Sequence, residues 1–284
     1  MVVADPARLD RAVLDVPGLD LPVLDVPVVD VAARARRLRD DADDAGAVAI
    51  CLTLVSVGDD GEMESTILDE LRDEIVDCTT CPRLVAWRTE VAETRRAAYR
   101  HEEYWGRPVP GFGDTQARIV VLGLAPAAHG ANRTGRVFTG DRSGDWLFAA
   151  MHRAGLANQA TSTAIDDGLE LSGAWVTAAV KCAPPKNRPT PDERDRCSGY
   201  LEREIAAFGD LRVVVCLGAF GFEAACGHFG IAPKPRFGHG VEVTVPDGPV
   251  LLASFHPSQQ NTFTGRLTTE MLDTVFERAV QLAR

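Results

Sequence analysis

Four short apolar runs constrain this chain more than any other feature: Ile119-Val-Val-Leu-Gly123 and the stretches at 175–181, 212–217 and 250–255. Between and around them lie segments of helical period, near 145–154, 191–207, 218–229 and 266–283. A strand that is apolar on both faces has to be covered on both faces, and strands that alternate with helices run parallel. The expectation is an α/β domain with a central parallel sheet. In such sheets ligands sit beyond the carboxyl ends of the strands. The loops at 124–141, 182–188 and 256–266 therefore carry the functional interest. Two further helices, at about 66–77 and 83–103, precede the first strand.

The chain has 284 residues, of which 45% are hydrophobic and 25% charged, ordinary values for globular material. No apolar run approaches the roughly 18–20 residues that span a bilayer, so no membrane partner is expected. Aspartates recur through the N-terminus, which does not resemble a signal peptide, and the expected compartment is the cytoplasm. The first 45 residues repeat aspartate every fifth position from Asp5 to Asp30, with Pro17, Pro22 and Pro27 interleaved. Such a segment cannot bury a core, so residues 1–62 are expected to form a low-complexity, acidic, disordered extension, and 63–284 the folded domain. The net charge of −11 is uneven: residues 1–62 hold 13 acidic and 6 basic side chains, the rest 28 and 24. An acidic total does not exclude nucleic acid, because phosphate contacts act locally.

Four cysteines stand out from the apolar runs, in Cys78-Thr-Thr-Cys81-Pro82, Val180-Lys-Cys182-Ala-Pro-Pro and Arg196-Cys197-Ser. A close pair with two more cysteines far downstream does not suit a zinc finger, whose ligands lie close together in sequence. It suits a centre that staples the start of a domain to its middle, and thiolate-only ligation admits zinc or a 4Fe–4S cluster. Cys51, Cys216 and Cys226 sit in apolar runs and read as core residues.

The loop after the first strand runs Gly123-Leu-Ala-Pro-Ala-Ala-His-Gly-Ala-Asn-Arg-Thr-Gly-Arg-Val-Phe-Thr-Gly-Asp141. Small residues let backbone N–H groups approach a ligand, and Asp141 can cap the helix that follows. Neither a Walker loop nor Gly-x-Gly-x-x-Gly is present, and Gly-x-Ser-x-Gly is absent too. The second loop, Lys181-Cys-Ala-Pro-Pro-Lys-Asn-Arg188, combines cations, an amide and a cysteine. In the third, His256 follows a buried strand directly, a position that brings a catalytic role level with the structural one a lone histidine usually has.

Together these runs resemble the uracil-DNA glycosylase superfamily, specifically its type-5 branch, over about residues 75–283. The likeness rests on Gly123-Leu-Ala-Pro-Ala, Phe138-Thr-Gly-Asp141, Val180-Lys-Cys-Ala-Pro-Pro-Lys-Asn187, His256-Pro-Ser258 and the four cysteines in order. It implies a three-layer α/β/α fold and a monofunctional enzyme that hydrolyses the N-glycosidic bond of deaminated bases in DNA. It also implies a 4Fe–4S cluster held by Cys78, Cys81, Cys182 and Cys197. Phe138 would stack on the flipped base, beside the loop of Gly123, Leu124 and Ala125. His256 would stabilise charge on the departing base, Asp141 would act on water, and Asn187 would hold water or base. Arg133, Arg136, Lys181, Lys186, Arg188 and Arg266 would meet phosphates; relatives place an apolar wedge after the histidine, where this chain departs with Gln259-Gln260-Asn261 before Phe263. The expected partner is DNA containing uracil or other deaminated bases, bound by a monomer.

Two departures sharpen the expectation. Other branches carry a polar residue in the first motif, where this chain has Leu124 and Ala125, so the water-activating group falls to Asp141. Many relatives read uracil with an asparagine where this chain has Ala178. Without that reader, rejection of other bases weakens, and the type-5 branch is associated with hypoxanthine and xanthine. A non-catalytic iron–sulfur or zinc nucleic-acid-binding module of the same fold is the alternative, and a redox protein a third reading. Neither would need Asp141, Asn187 and His256 at one end of the sheet.

Overall fold

The computed structural model describes residues 60–284, with side chains from Ile67 onward, so nearly all of the expected N-terminal extension lies outside the described residues. Helix α1 (Asp60–Asp77) begins ahead of the expected 66 and contains Met63, so a domain start at 63 would cut it. Helix α2 (Pro82–Thr94) has proline in its first turn, where the missing N–H had no partner to lose. It stops well short of 103 because Arg95 turns to a φ of 53°, and a 3₁₀ turn, Ala97–Tyr99, follows.

The strands are β1 (Phe112–Gly113), β2 (Ile119–Gly123), β3 (Ala174–Ala178), β4 (Val213–Leu217), β5 (Glu242–Thr244) and β6 (Val250–Ser254). They form one sheet in the order β1-β3-β2-β4-β6-β5. The inner four are parallel, as the apolar runs require. The two edges are antiparallel, so the sheet is mixed rather than wholly parallel. Both edge strands are too short, and β5 too exposed, to leave a pattern in the sequence.

Every residue of β2 and β4 is buried. Val121 and Val215 face Leu147 and Phe148 of α4 (Arg142–Arg153) and Phe276 of α8 (Thr269–Leu282). Val120, Leu122 and Val214 face Leu201 of α5 (Pro191–Ala206) and Phe222 of α6 (Gly218–His228). Covering both faces is what turns alternation into continuous apolar runs, each fully buried aliphatic contributing about 1.5–3 kcal/mol. Cys216 and Cys226 are core residues, as expected. The register sets Gly123 beside Ala178 and Leu217 beside Ser254, so the following loops leave the sheet at one edge. Two short helices lie in those loops, α3 (Ala131–Thr134) and α7 (Gln259–Phe263). Among the described residues no helix is long and apolar enough to cross a membrane.

Candidate active site

Asp141 ends the loop after β2 and caps α4. Its Oδ1 accepts the backbone N–H of Ser143 at 2.9 Å and of Gly144 at 3.0 Å. Its Oδ2 makes no hydrogen bond among the described residues. That oxygen lies against Gly130, where a Cβ would come within 2.1 Å of it, so only glycine fits there. Burial raises the Asp141 pKa above the usual carboxylate range, against the lowering pull of the two backbone donors. One oxygen of the side chain is therefore committed to the cap, and the other is left without a hydrogen bond among the described residues, on a side chain that lines a pocket.

Phe138 reaches its place at a cost, because its φ of 55° is in the left-handed region, a strain of about 1–3 kcal/mol. Its ring packs on Gly123, where a Cβ would be 2.8 Å from Cζ. The His256 ring lies beside it, with centroids 5.8 Å apart and planes inclined at 34°. His256 leaves the end of β6, and its carbonyl accepts the Asn261 side-chain amide at 2.8 Å, which fixes the turn. The ring nitrogens have no hydrogen-bond partner among the described residues. Burial pushes the imidazole pKa down to about 4, so the ring is a neutral donor at pH 7.

Phe138, Asp141 and His256 line one pocket of about 40 Å³, with Ala125, Ala127, Val137 and Ser143 completing the wall. Ala127, Val137 and Ser143 gave no sign in the sequence, since small and apolar residues in a loop look like packing. Of the other expected substrate contacts, Gly123 supports Phe138 from behind. Leu124 and Ala178 are not on the pocket wall; Ala178 is buried in the sheet beside Gly123. A larger cavity of about 310 Å³ lies between α5 and α6, walled by Arg194, Glu202, Glu223 and Lys234, and holds none of these groups.

Three of the expected phosphate contacts are spent on the fold. Arg133 pairs with Glu102 and donates to the carbonyls of His129 at 2.9 Å and Gly140 at 2.8 Å, with its guanidinium over the Tyr99 ring. Arg136 is 6% exposed and pairs with Asp167 at 2.7 Å, also donating to Thr139 and Ser162. Lys181 is 1% exposed and pairs with Glu204 at 2.5 Å, beside Thr177. These cations brace the loops, and none is available to DNA.

Lys186, Asn187 and Arg188 form an exposed turn in which the first two residues have φ of 55° and 53°. The turn lies outside the pocket wall, so the structure does not bring Asn187 to Asp141 and His256. Lys186, Arg188 and the exposed Arg266 form no ion pair among the described residues. Gln259 and Gln260 open α7 and are exposed. Phe263 closes it, 67% exposed, under the guanidinium of Arg142 at 4.6 Å from its ring centre. Arg142 directly follows Asp141 and is a further exposed cation beside the pocket.

Cys78, Cys81, Cys182 and Cys197 are free thiols that line a single cavity of about 20 Å³. The Lys181 backbone N–H donates to the Cys197 sulfur at 3.3 Å, as amides do to metal-bound thiolates. Burial pushes the Cys182 pKa up to about 12 and that of Cys197 to about 11, so thiolates there need positive charge close by. A thiolate-bound metal group supplies such charge, and the donor set fits it. Among the described residues no three histidine, cysteine or carboxylate groups gather around the place of one metal ion.

A family model, the uracil DNA glycosylase superfamily, matches residues 110–280. A type-5 uracil-DNA glycosylase of Mycobacterium tuberculosis is 54% identical over 217 residues, 75% of this chain and 81% of that protein. One of Thermus thermophilus is 53% identical over 207 residues, 72% of this chain and 94% of its own length. A type-4 uracil-DNA glycosylase of Archaeoglobus fulgidus is 35% identical over 113 residues, 39% of this chain and 49% of that protein.

Proposed function

Because the chain belongs to the type-5 branch of the uracil-DNA glycosylase superfamily, we propose that the pocket of Asp141 and His256 is where it hydrolyses the N-glycosidic bond of uracil in DNA. The observation that carries this reading is the meeting of a carboxylate oxygen with no partner among the described residues, a neutral imidazole and an aromatic face in one small pocket at the strand ends. A base inside the duplex is out of reach, so the nucleotide leaves the stack and its base packs on Phe138. As the bond to the sugar breaks, electrons pass to the base, and His256 donates a hydrogen bond to the base oxygen that gains charge. The Asp141 Oδ2 accepts a proton from the attacking water and offsets the positive charge growing on the sugar. The products are the free base and an abasic site.

The pocket also supports a broader range of bases. Ala125, Ala127 and Val137 offer no side-chain amide to pair with uracil's edge, and a misfit base leaves no buried polar group unpaired on that wall. Hypoxanthine and xanthine are the further substrates. Arg142, Lys186, Arg188 and Arg266 are the exposed cations that meet the DNA backbone. Cys78, Cys81, Cys182 and Cys197 hold a 4Fe–4S cluster in this reading, supported by four free thiols on one cavity and an N–H donor to a sulfur. Bound there, the cluster would tie the start of α2 to the loop after β3 and to α5, a structural service.

Single-turnover assays on duplexes that contain uracil, hypoxanthine or xanthine test the function. Release of all three bases is expected. Release of uracil alone would overturn the wider range, and release of none would overturn the activity.

A further inference from the structure

Helix α2 buries Leu84, Arg88 and Val91, the stripe that a helix turns toward a core, and its middle position is a cation. Arg88 is 6% exposed. Its Nη2 donates to the carbonyl of Cys78 at 3.2 Å, while Nε and Nη1 are buried with no hydrogen-bond partner among the described residues. No carboxylate pairs with it among the described residues. The comparison with other interior cations is direct, since Arg136 has Asp167 and Lys181 has Glu204. A buried charge without a counter-charge costs several kcal/mol, and unmade hydrogen bonds add to that. Something anionic has to stand near Arg88 for the position to be tolerable.

The neighbouring sulfurs supply the candidate. Arg88 is held by the backbone of Cys78, which walls the cysteine cavity. A 4Fe–4S cluster bound by four thiolates is a net anion. We propose that Arg88 is the buried counter-charge of the metal–thiolate centre, placed by α2 against the backbone of Cys78 at the cavity wall. The inference rests on the cluster reading given above. It adds that the helix between the cysteine pair and the base-pocket loop carries the positive charge that the centre requires. Arg88 is a positioning and charge-balancing residue and touches no substrate.

The test uses full-length protein purified without air, as wild type, Arg88→Met and Arg88→Lys. The readouts are iron and sulfide per chain, visible absorption, the rate of bleaching by an iron chelator and the midpoint potential. Arg88→Met is expected to hold iron about 10–100-fold more weakly, the usual scale for loss of a partner just outside the ligands. It should bleach faster and show a more negative potential, because removing a positive charge favours the oxidised state. Arg88→Lys keeps the charge and should stay near wild type in iron content. If Arg88→Met does not fold, Arg88→Lys decides: retained iron supports the proposal and lost iron overturns it. Wild-type iron content, bleaching and potential in Arg88→Met would overturn it while leaving the cluster in place. Zinc, or no metal, in the wild type would instead overturn the cluster reading on which it stands.

Discussion

The loop before α4 and the loops after β3 and β6 leave the same edge of the sheet, and both are rich in cations, but beyond Lys181, which is buried against Glu204, they use them in opposite ways. Arg133 and Arg136 turn inward, to Glu102 and Asp167, and hold the segment that presents Phe138 and Asp141. Lys186, Arg188 and Arg266 turn outward and meet no acid among the described residues. A cation beside a site is a brace when another part of the chain brings a carboxylate to it, and in the reading proposed above a contact for DNA when none does. The carboxylates that decide the matter lie far away in sequence, so the loop sequence alone treats the two groups alike.

The contrast breaks most visibly at Arg136. Arg136→Ala removes the buried cation that joins Asp167, Thr139 and Ser162, and the expected loss is about 3–5 kcal/mol in chemical denaturation. The salt dependence of DNA binding should not change in the protein that remains folded. A fully stable variant with a flatter salt slope would return Arg136 to the DNA-binding face.

His256 sharpens the comparison through pH, because its ring owes its character to burial rather than to a partner. Its pKa of about 4 in the folded state lies below the ordinary value of 6.5. Between those pH values the unfolded chain binds a proton that the native protein does not, so stability falls as pH drops from 6.5 toward 4. The depression corresponds to an effect on the order of 3 kcal/mol. His256→Gln should lack this share of the acid sensitivity in paired denaturation curves. Parallel pH curves for the two proteins would show that the imidazole is not desolvated.

The smallest effects belong to the outward cations. Lys186→Ala, Arg188→Ala and Arg266→Ala should each change stability by about 0.5 kcal/mol or less. Each should lower the salt slope of binding to uracil-containing duplex by about one, as a lost phosphate contact does. An unchanged slope in all three would place the DNA elsewhere.

The inner strands were legible because burial on both faces leaves an unbroken apolar run. The edges were not, because two residues in β1 and the exposed Glu242 and Thr244 of β5 carry no such mark. Asp141, Phe138 and His256 were legible from their motifs and meet at one pocket. Asn187 belongs to the same motif set, yet the left-handed turn of Lys186 and Asn187 carries it to the exposed surface. Lys181 was misread for the reason that applies to Arg133 and Arg136, since Glu204 comes from α5. Arg88 went unnoticed because an arginine on a helix is ordinarily solvated, and only its burial without an acidic partner among the described residues makes it unusual.

The central claim is that Asp141 caps α4 with one oxygen and serves chemistry with the other. Asp141→Asn separates the two, because asparagine is an equally good cap but its amide cannot take a proton from water. The measurement is the single-turnover rate of uracil release by Asp141→Asn, with its melting temperature recorded beside it. An unchanged melting temperature with a rate lower by about 10²–10⁴-fold is the expected result. A variant that releases uracil at the wild-type rate would contradict the account and leave Asp141 with the cap alone.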